Sequence, residues 1–183
     1  PGPWISCDYQ DGYHQAIKHL KAYGHERILF FCGSTEASHK PHRQNRQFAE
    51  YYLKAMLAAN LSDGIQVCSI TGDVDEMKPK ITEILRAPHR PTAVFADMDY
   101  RGAVAIEAAQ AMRLRVPDDL SVIGFNDTPW SNHHKLSTFN LRIKAIADAV
   151  LDGLTQVRPA RRMLIKPCLV EKETVAFSTP NTP

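Results

Sequence analysis

Carboxylates and amides recur just past the apolar runs of this chain. Asp8 follows Trp4-Ile5-Ser6-Cys7, Ser34 and Thr35 follow the run RILFFC (27–32), Met98 and Asp99 stand past the run AVFA (93–96), and Asn126 and Asp127 close VIGF (122–125). Carboxylates in pairs can share acid–base work, and carboxylates with an amide can hold the hydroxyls of a small molecule. Arg43 and Arg46 add guanidinium groups, whose fork suits a carboxylate or two neighbouring oxygens.

Other readings of the same residues compete. Asp8, ahead of Gly12, also reads as a helix cap. Ser34 and Thr35 also read as turn residues, and Arg43 and Arg46 as solvated loop arginines. His39, His42, His89, His133 and His134 invite a metal, but no pair has the i, i+4 helix spacing with a carboxylate that a zinc site on a helix needs. The chain has no Gly-x-Ser-x-Gly elbow, no Gly-x-Gly-x-x-Gly and no phosphate-binding Walker loop, so hydrolase and nucleotide-cofactor chemistry are disfavoured. No metal site and no cofactor is expected.

The elements that must carry these groups are legible from periodicity. Strand-like runs at 4–7, 27–32, 66–70, 93–96 and 120–125 alternate with amphipathic stretches. Those stretches carry Ala16, Ile17 and Leu20, then Phe48, Tyr52, Ala55, Met56 and Ala59, then Met77, Ile81, Ile84 and Leu85, then the segment 100–112. Strict strand–helix alternation with short loops predicts a doubly wound parallel sheet with helices on both faces, a three-layer αβα domain. Ligands of such sheets bind outside the carboxyl ends of the strands, where the polar groups above stand. The tail departs from the alternation. It reads as a short strand at 137–140, a helix with an apolar stripe of Ile143, Ile146, Ala147, Val150 and Leu154, and late strands at 163–165 and 169–175 around Pro167.

With 183 residues, a net charge of +2, 44% hydrophobic and 23% charged residues, the chain is sized for one core and shows no basic block that would bind nucleic acid directly. Cys7, Cys32, Cys68 and Cys168 lie in apolar runs without a close Cys-x-x-Cys pair, which predicts buried free thiols in a reducing compartment. No run is long enough to span a membrane, and no signal peptide opens the chain. It begins at Pro1 rather than Met, which suggests a processed chain or a piece of a longer one.

Several segments together resemble the effector-binding core of the LacI/GalR family of bacterial transcription regulators. These are Asp8 with Gly12 and HLKAYGHERILFFCG, then HRPTAVFADMD, LRVPDDLSVIGFND, LSTF and LVEKETV, in the family's order and over nearly the whole chain. The resemblance implies a periplasmic-binding-protein-like (type I) lobe. It assigns 9–136 and 160–176 to the second lobe, and the helix 142–156 to packing on a first lobe that would precede Asp8. Asp8, Ser34, Arg43 or Arg46, Val74, Met98, Asp99, Asn126 and Asp127 would line the ligand cleft. Asn126 stands for the family's usual aspartate, Met98 for its asparagine and Val74 for an aromatic ring, so the ligand preference would differ from the usual sugar or purine.

The implied function is ligand sensing. A small-molecule effector between two lobes would shift their arrangement, and a helix-turn-helix headpiece outside this chain would report the shift to operator DNA. A cytoplasmic homodimer without membrane contact is implied as well. Two competitors remain. One is a small flavodoxin-like enzyme using Asp8, Asp99 and Asp127, and the other is a periplasmic sugar-binding protein.

Overall fold

The computed structural model describes residues 4–33, 43–70, 72–155 and 162–178. In chain order the elements are β1 (Ile5–Cys7), α1 (Tyr9–Ala22), β2 (Ile28–Cys32), α2 (Arg43–Ala58), β3 (Ile65–Ser69), α3 (Val74–Arg86), β4 (Ala93–Ala96), α4 (Asp99–Ala111), β5 (Ser121–Ile123), α5 (Pro129–His133), β6 (Thr138–Asn140), α6 (Ile143–Thr155), β7 (Met163–Ile165) and β8 (Cys168–Val170). The expected central sheet is present, parallel throughout, in the order β3-β2-β4-β5.

An uninterrupted apolar strand such as ILFFC has to be covered on both sides, because successive side chains point to opposite faces. Ile28, Phe30 and Cys32 pack with Tyr13, Ile17, Leu20, Tyr52 and Met56 of α1 and α2. Leu29 and Phe31 pack with Met77, Ile81, Leu85 and Val104 of α3 and α4 on the other face. Burying each such side chain is worth roughly 1.5–3 kcal/mol, so two filled layers dominate the stability of the domain.

The loop between α4 and β5 is stapled by its own motif. Arg115 donates to Asp119 from its backbone N at 2.8 Å and from Nε at 2.9 Å, and this holds the Asp119 carboxyl down at about 2. Past β5 the chain leaves the sheet but stays tied to it. Gly124 N donates to Ser137 O at 2.8 Å and Asn126 N donates to Phe139 O at 2.9 Å, which fixes β6 beside β5. β8 then pairs antiparallel with β6. The expected strand over 169–175 is shorter than predicted, although Val122 N still donates to Thr174 O at 2.8 Å.

β1 and β7 form a separate parallel pair, against which α6 lies. The stripe of α6 is open: Ile143 is 63% exposed, Val150 41% and Leu154 78%. One expectation is corrected here. Cys7, Cys32 and Cys68 are buried, but Cys168 is exposed. β8 turns Leu169 toward the core, and the alternation of a strand turns Cys168 outward.

Candidate ligand site

A cavity of about 350 Å³ opens at the carboxyl ends of β2 and β4, a volume suited to a ligand of about one ring. Two aromatic rings form one wall, Tyr9 of α1 and Phe48 of α2, with centroids 5.0 Å apart. Gln44, Asn45 and Asn126 line it as well. Its remaining charged lining comes from the turn into α4, where Asp97 and Arg101 flank Met98. A second cavity of about 570 Å³ shares Tyr9, Gln44 and Phe48 and continues toward Asp8, Trp4 and Leu164.

Asp97 lies in the bend between β4 and α4, and Arg101 in the first turn of α4 reaches back to it. Arg101 Nη1 donates to Asp97 Oδ1 at 2.7 Å, and Gly33 N donates to Asp97 Oδ2 at 3.1 Å. Asp97 is 4% exposed and Arg101 7%, so the ion pair belongs to the interior rather than to solvent. Burial pushes the Asp97 carboxyl above its ordinary range, and the Arg101 charge and the Gly33 N–H offset part of that push. Gly33 leaves room for this approach: a Cβ there would lie 2.8 Å from Asn45 Nδ2 and 3.0 Å from Arg101 Nη2, so those side-chain ends would have to shift.

Asn126 and Asp127 hold the left-handed backbone at φ +103° and +51°. Asparagine and aspartate tolerate that region better than other non-glycine residues, and such strain tends to collect at binding sites. Only Asn126 faces the cavity. Asp127 accepts from Ser131 Oγ at 3.1 Å and Asn140 Nδ2 at 2.8 Å, with Lys172 Nζ 3.5 Å away. Burial works to raise its pKa, but these hydrogen bonds and the lysine outweigh it, and the carboxyl stays below its ordinary range.

Asp99 also turns away from the cavity. Its carboxylate is fully buried and accepts from Thr128 N at 2.6 Å, from Thr128 Oγ1 at 2.9 Å and from Thr138 Oγ1. Burial raises its pKa, against these bonds. Gly124 makes room for it, since a Cβ there would strike Asp99 Oδ1. The close approach that Gly124 allows is thus to a side chain of the same domain.

The other expected residues divide. Met98 lines the cavity. Asp8 lines the neighbouring one and also caps α1, accepting from Asp11 N at 3.0 Å. Val74 packs on the core beside α3 and α4, and Gly72 takes the place at the cavity wall expected of it. Arg46 is exposed and absent from the cavity lining. Successive helical residues turn by about 100°, so Gln44, Asn45 and Phe48 share a face that Arg46 does not. Ser34 and the side chain of Arg43 lie outside the described residues. Sequence reading missed Tyr9, Gln44, Asn45, Phe48, Asp97 and Arg101; the i, i+4 acid–base spacing of the last two was the one available signal.

A serine–histidine contact does occur, at the other end of the sheet. His25 lies 3.0 Å from both Thr92 Oγ1 and Ser121 Oγ, and 3.0 Å from Ala176 O. Thr92 precedes β4 and Ser121 begins β5, so this group ties the amino ends of two strands to the tail, far from the cavity.

The chain matches the periplasmic binding protein-like domain family over residues 17–175. It is similar to the HTH-type transcriptional repressor PurR of Klebsiella pneumoniae, 35% identical over 181 residues, which covers 94% of this chain and 51% of that protein. It is also similar to the probable HTH-type transcriptional repressor ExuR of Bacillus subtilis, 30% identical over 78% of this chain and 42% of that one. The chain thus spans about half the length of these curated relatives. Among solved structures, a LacI transcriptional regulator from a Rhodococcus species superposes with a TM-score of 0.79 at 26% identity, over 93% of this chain and 63% of that one. The chain belongs to the periplasmic binding protein-like domain family, in the form carried by LacI-type regulators.

Proposed function

We propose that this chain is the ligand-sensing part of a cytoplasmic, homodimeric transcription regulator, and that its effector sits in the cavity walled by Tyr9, Phe48, Asp97, Arg101 and Asn126. The observation that carries the reading is the cavity itself: rings for an apolar face, three amides for oriented hydrogen bonds, and a strained Asn126 held over the carboxyl edge of a parallel sheet. Relatives named as repressors with a helix-turn-helix support a DNA-reading headpiece outside this chain. The open stripe of α6 supports its assignment to a first lobe. The two lobes would close on the effector and bias the headpiece, because a ligand that prefers one arrangement shifts the population toward it.

The reading assigns no catalytic step to the chain. The groups lining the cavity are an ion pair, amides, rings and a thioether, and the one serine–histidine contact described above lies at the opposite sheet end. The test is a DNA-binding titration of the full-length protein by fluorescence anisotropy, with DNA from upstream of its own gene. A small molecule that raises the melting temperature should change the DNA affinity several-fold. A compound that binds tightly and leaves DNA affinity unchanged refutes the sensor reading.

A further inference from the structure

We propose that the ligand of this cavity carries a carboxylate and that Arg101 receives it; the inference rests on the cavity being the effector site. Among the described residues lining the cavity, Arg101 is the one cation and Asp97 the one carboxylate. Both oxygens of Asp97 are engaged, one by Arg101 Nη1 and one by Gly33 N, so Asp97 has little left to offer a ligand. Arg101 is the opposite case. It carries five N–H donors, and Asp97 takes one of its nitrogens.

Two buried side-chain polar atoms lack a hydrogen-bond partner among the described residues, Arg101 Nε and Tyr13 OH. Of the two residues Arg101 lines the cavity, whereas Tyr13 is fully buried and does not. Buried orphans are rare and call for an explanation. Arg101 Nε can only donate, so what the guanidinium lacks is an acceptor. A ligand carboxylate would supply one next to a guanidinium held in place by Asp97, which keeps the side chain from folding away.

The rest of the lining is neutral, so the site can match one negative charge. That favours a carboxylate over a phosphate, which carries up to two charges near neutral pH and would face Asp97 with a single guanidinium in support. Phe48 and Tyr9 then leave room for a ring beside the acid.

The experiment is a thermal-shift titration of the full-length protein against acid and neutral partners: D-glucuronate with D-glucose, orotate with uracil, and nicotinate with nicotinamide, plus D-glucose 6-phosphate. An acid should raise the melting temperature in a saturable way, and its neutral partner should bind at least about tenfold more weakly. The paired variant Asp97→Asn with Arg101→Gln removes both charges together and leaves no lone buried ion; it should lose that preference. Arg101→Lys keeps the charge and the pairing but loses the fork, and should weaken acid binding several-fold, which covers the case in which the paired variant does not fold. The inference is overturned if no acid binds, if the phosphate outbinds every acid, or if the acid preference survives in both variants. A neutral compound lost on Phe48→Ala and Asn126→Ala but retained by the paired variant overturns the carboxylate and leaves the cavity reading standing. An acid retained by Phe48→Ala and Asn126→Ala lies elsewhere and overturns the cavity reading.

Discussion

Replacing Asp99 separates a structural carboxylate from a ligand-binding one. Three bonds end on it: two from Thr128, at 2.6 and 2.9 Å, and one from Thr138 Oγ1. Bonds to a charged acceptor contribute about 1.5–3 kcal/mol each, but burial of the carboxylate takes back part of that sum. In Asp99→Ala the two hydroxyls can turn to other partners, whereas the Thr128 N–H cannot. The expected loss is therefore about 3–4 kcal/mol. In Asp99→Asn the amide oxygen can keep the Thr128 side while its NH2 faces Thr138 Oγ1, which can accept. Only the charge assistance is lost, about 1–1.5 kcal/mol. Urea denaturation followed by circular dichroism measures both. A loss below about 1 kcal/mol for Asp99→Ala, or an Asp99→Asn as damaging as Asp99→Ala, would refute the argument. Because Asp99 does not line the cavity, folded Asp99→Asn should bind ligand as the parent does.

Three further outcomes follow from the same geometry. Asn126→Gly should raise stability by about 0.5–1 kcal/mol, since glycine adopts φ +103° without strain, while ligand affinity falls; a stability loss in urea melts would show that the amide, not the strain, matters to the fold. Acid should weaken the fold through His25, whose pKa burial depresses. The unfolded histidine protonates near pH 6.5 and the folded one resists, so this stability is full above that pH and is lost as the pH falls through the depressed value. The drop in melting temperature from pH 7.5 to 5.5 should be smaller in His25→Gln than in the parent, and an equal drop would contradict it. Exposed Cys168 should react with a thiol reagent in the folded protein at once, while burial holds Cys7 at about 11 and Cys32 at about 12 and shields them; mass spectrometry showing early labelling of either would be inconsistent with the packing.

The sheet was legible because apolar runs such as RILFFC are too short for a helix and are bounded by turn residues, and their polar ends mark the binding edge without reference to detail. Asn126 was singled out on that basis, and it lines the cavity. What the pattern could not resolve was direction at single-residue scale. Asp97 and Asp99 both follow β4 and look equivalent in the sequence. Their fates differ because Thr128 and Thr138, distant in the chain, draw Asp99 under β5 while Gly33 and Arg101 hold Asp97 at the cavity. Arg101 rather than Arg46 lines the cavity for a related reason. A guanidinium near a helix start reads as functional, but helical phase decides which side chain faces the cavity, and the phase of α2 was fixed by packing against α1. Asp8 was legible both as a cap and as a cleft residue, and it makes the cap bond while lining the second cavity.

The central claim is that the ligand binds where Phe48 and Asn126 meet Asp97 and Arg101. Its most direct test is isothermal titration of the compound that most stabilises the full-length protein in a panel of sugars, sugar acids, nucleobases and amino acids. Parent protein, Phe48→Ala and Asn126→Ala would be compared, each checked for folding. The account predicts an affinity loss of about tenfold or more in each variant. Unchanged affinity in both would contradict it.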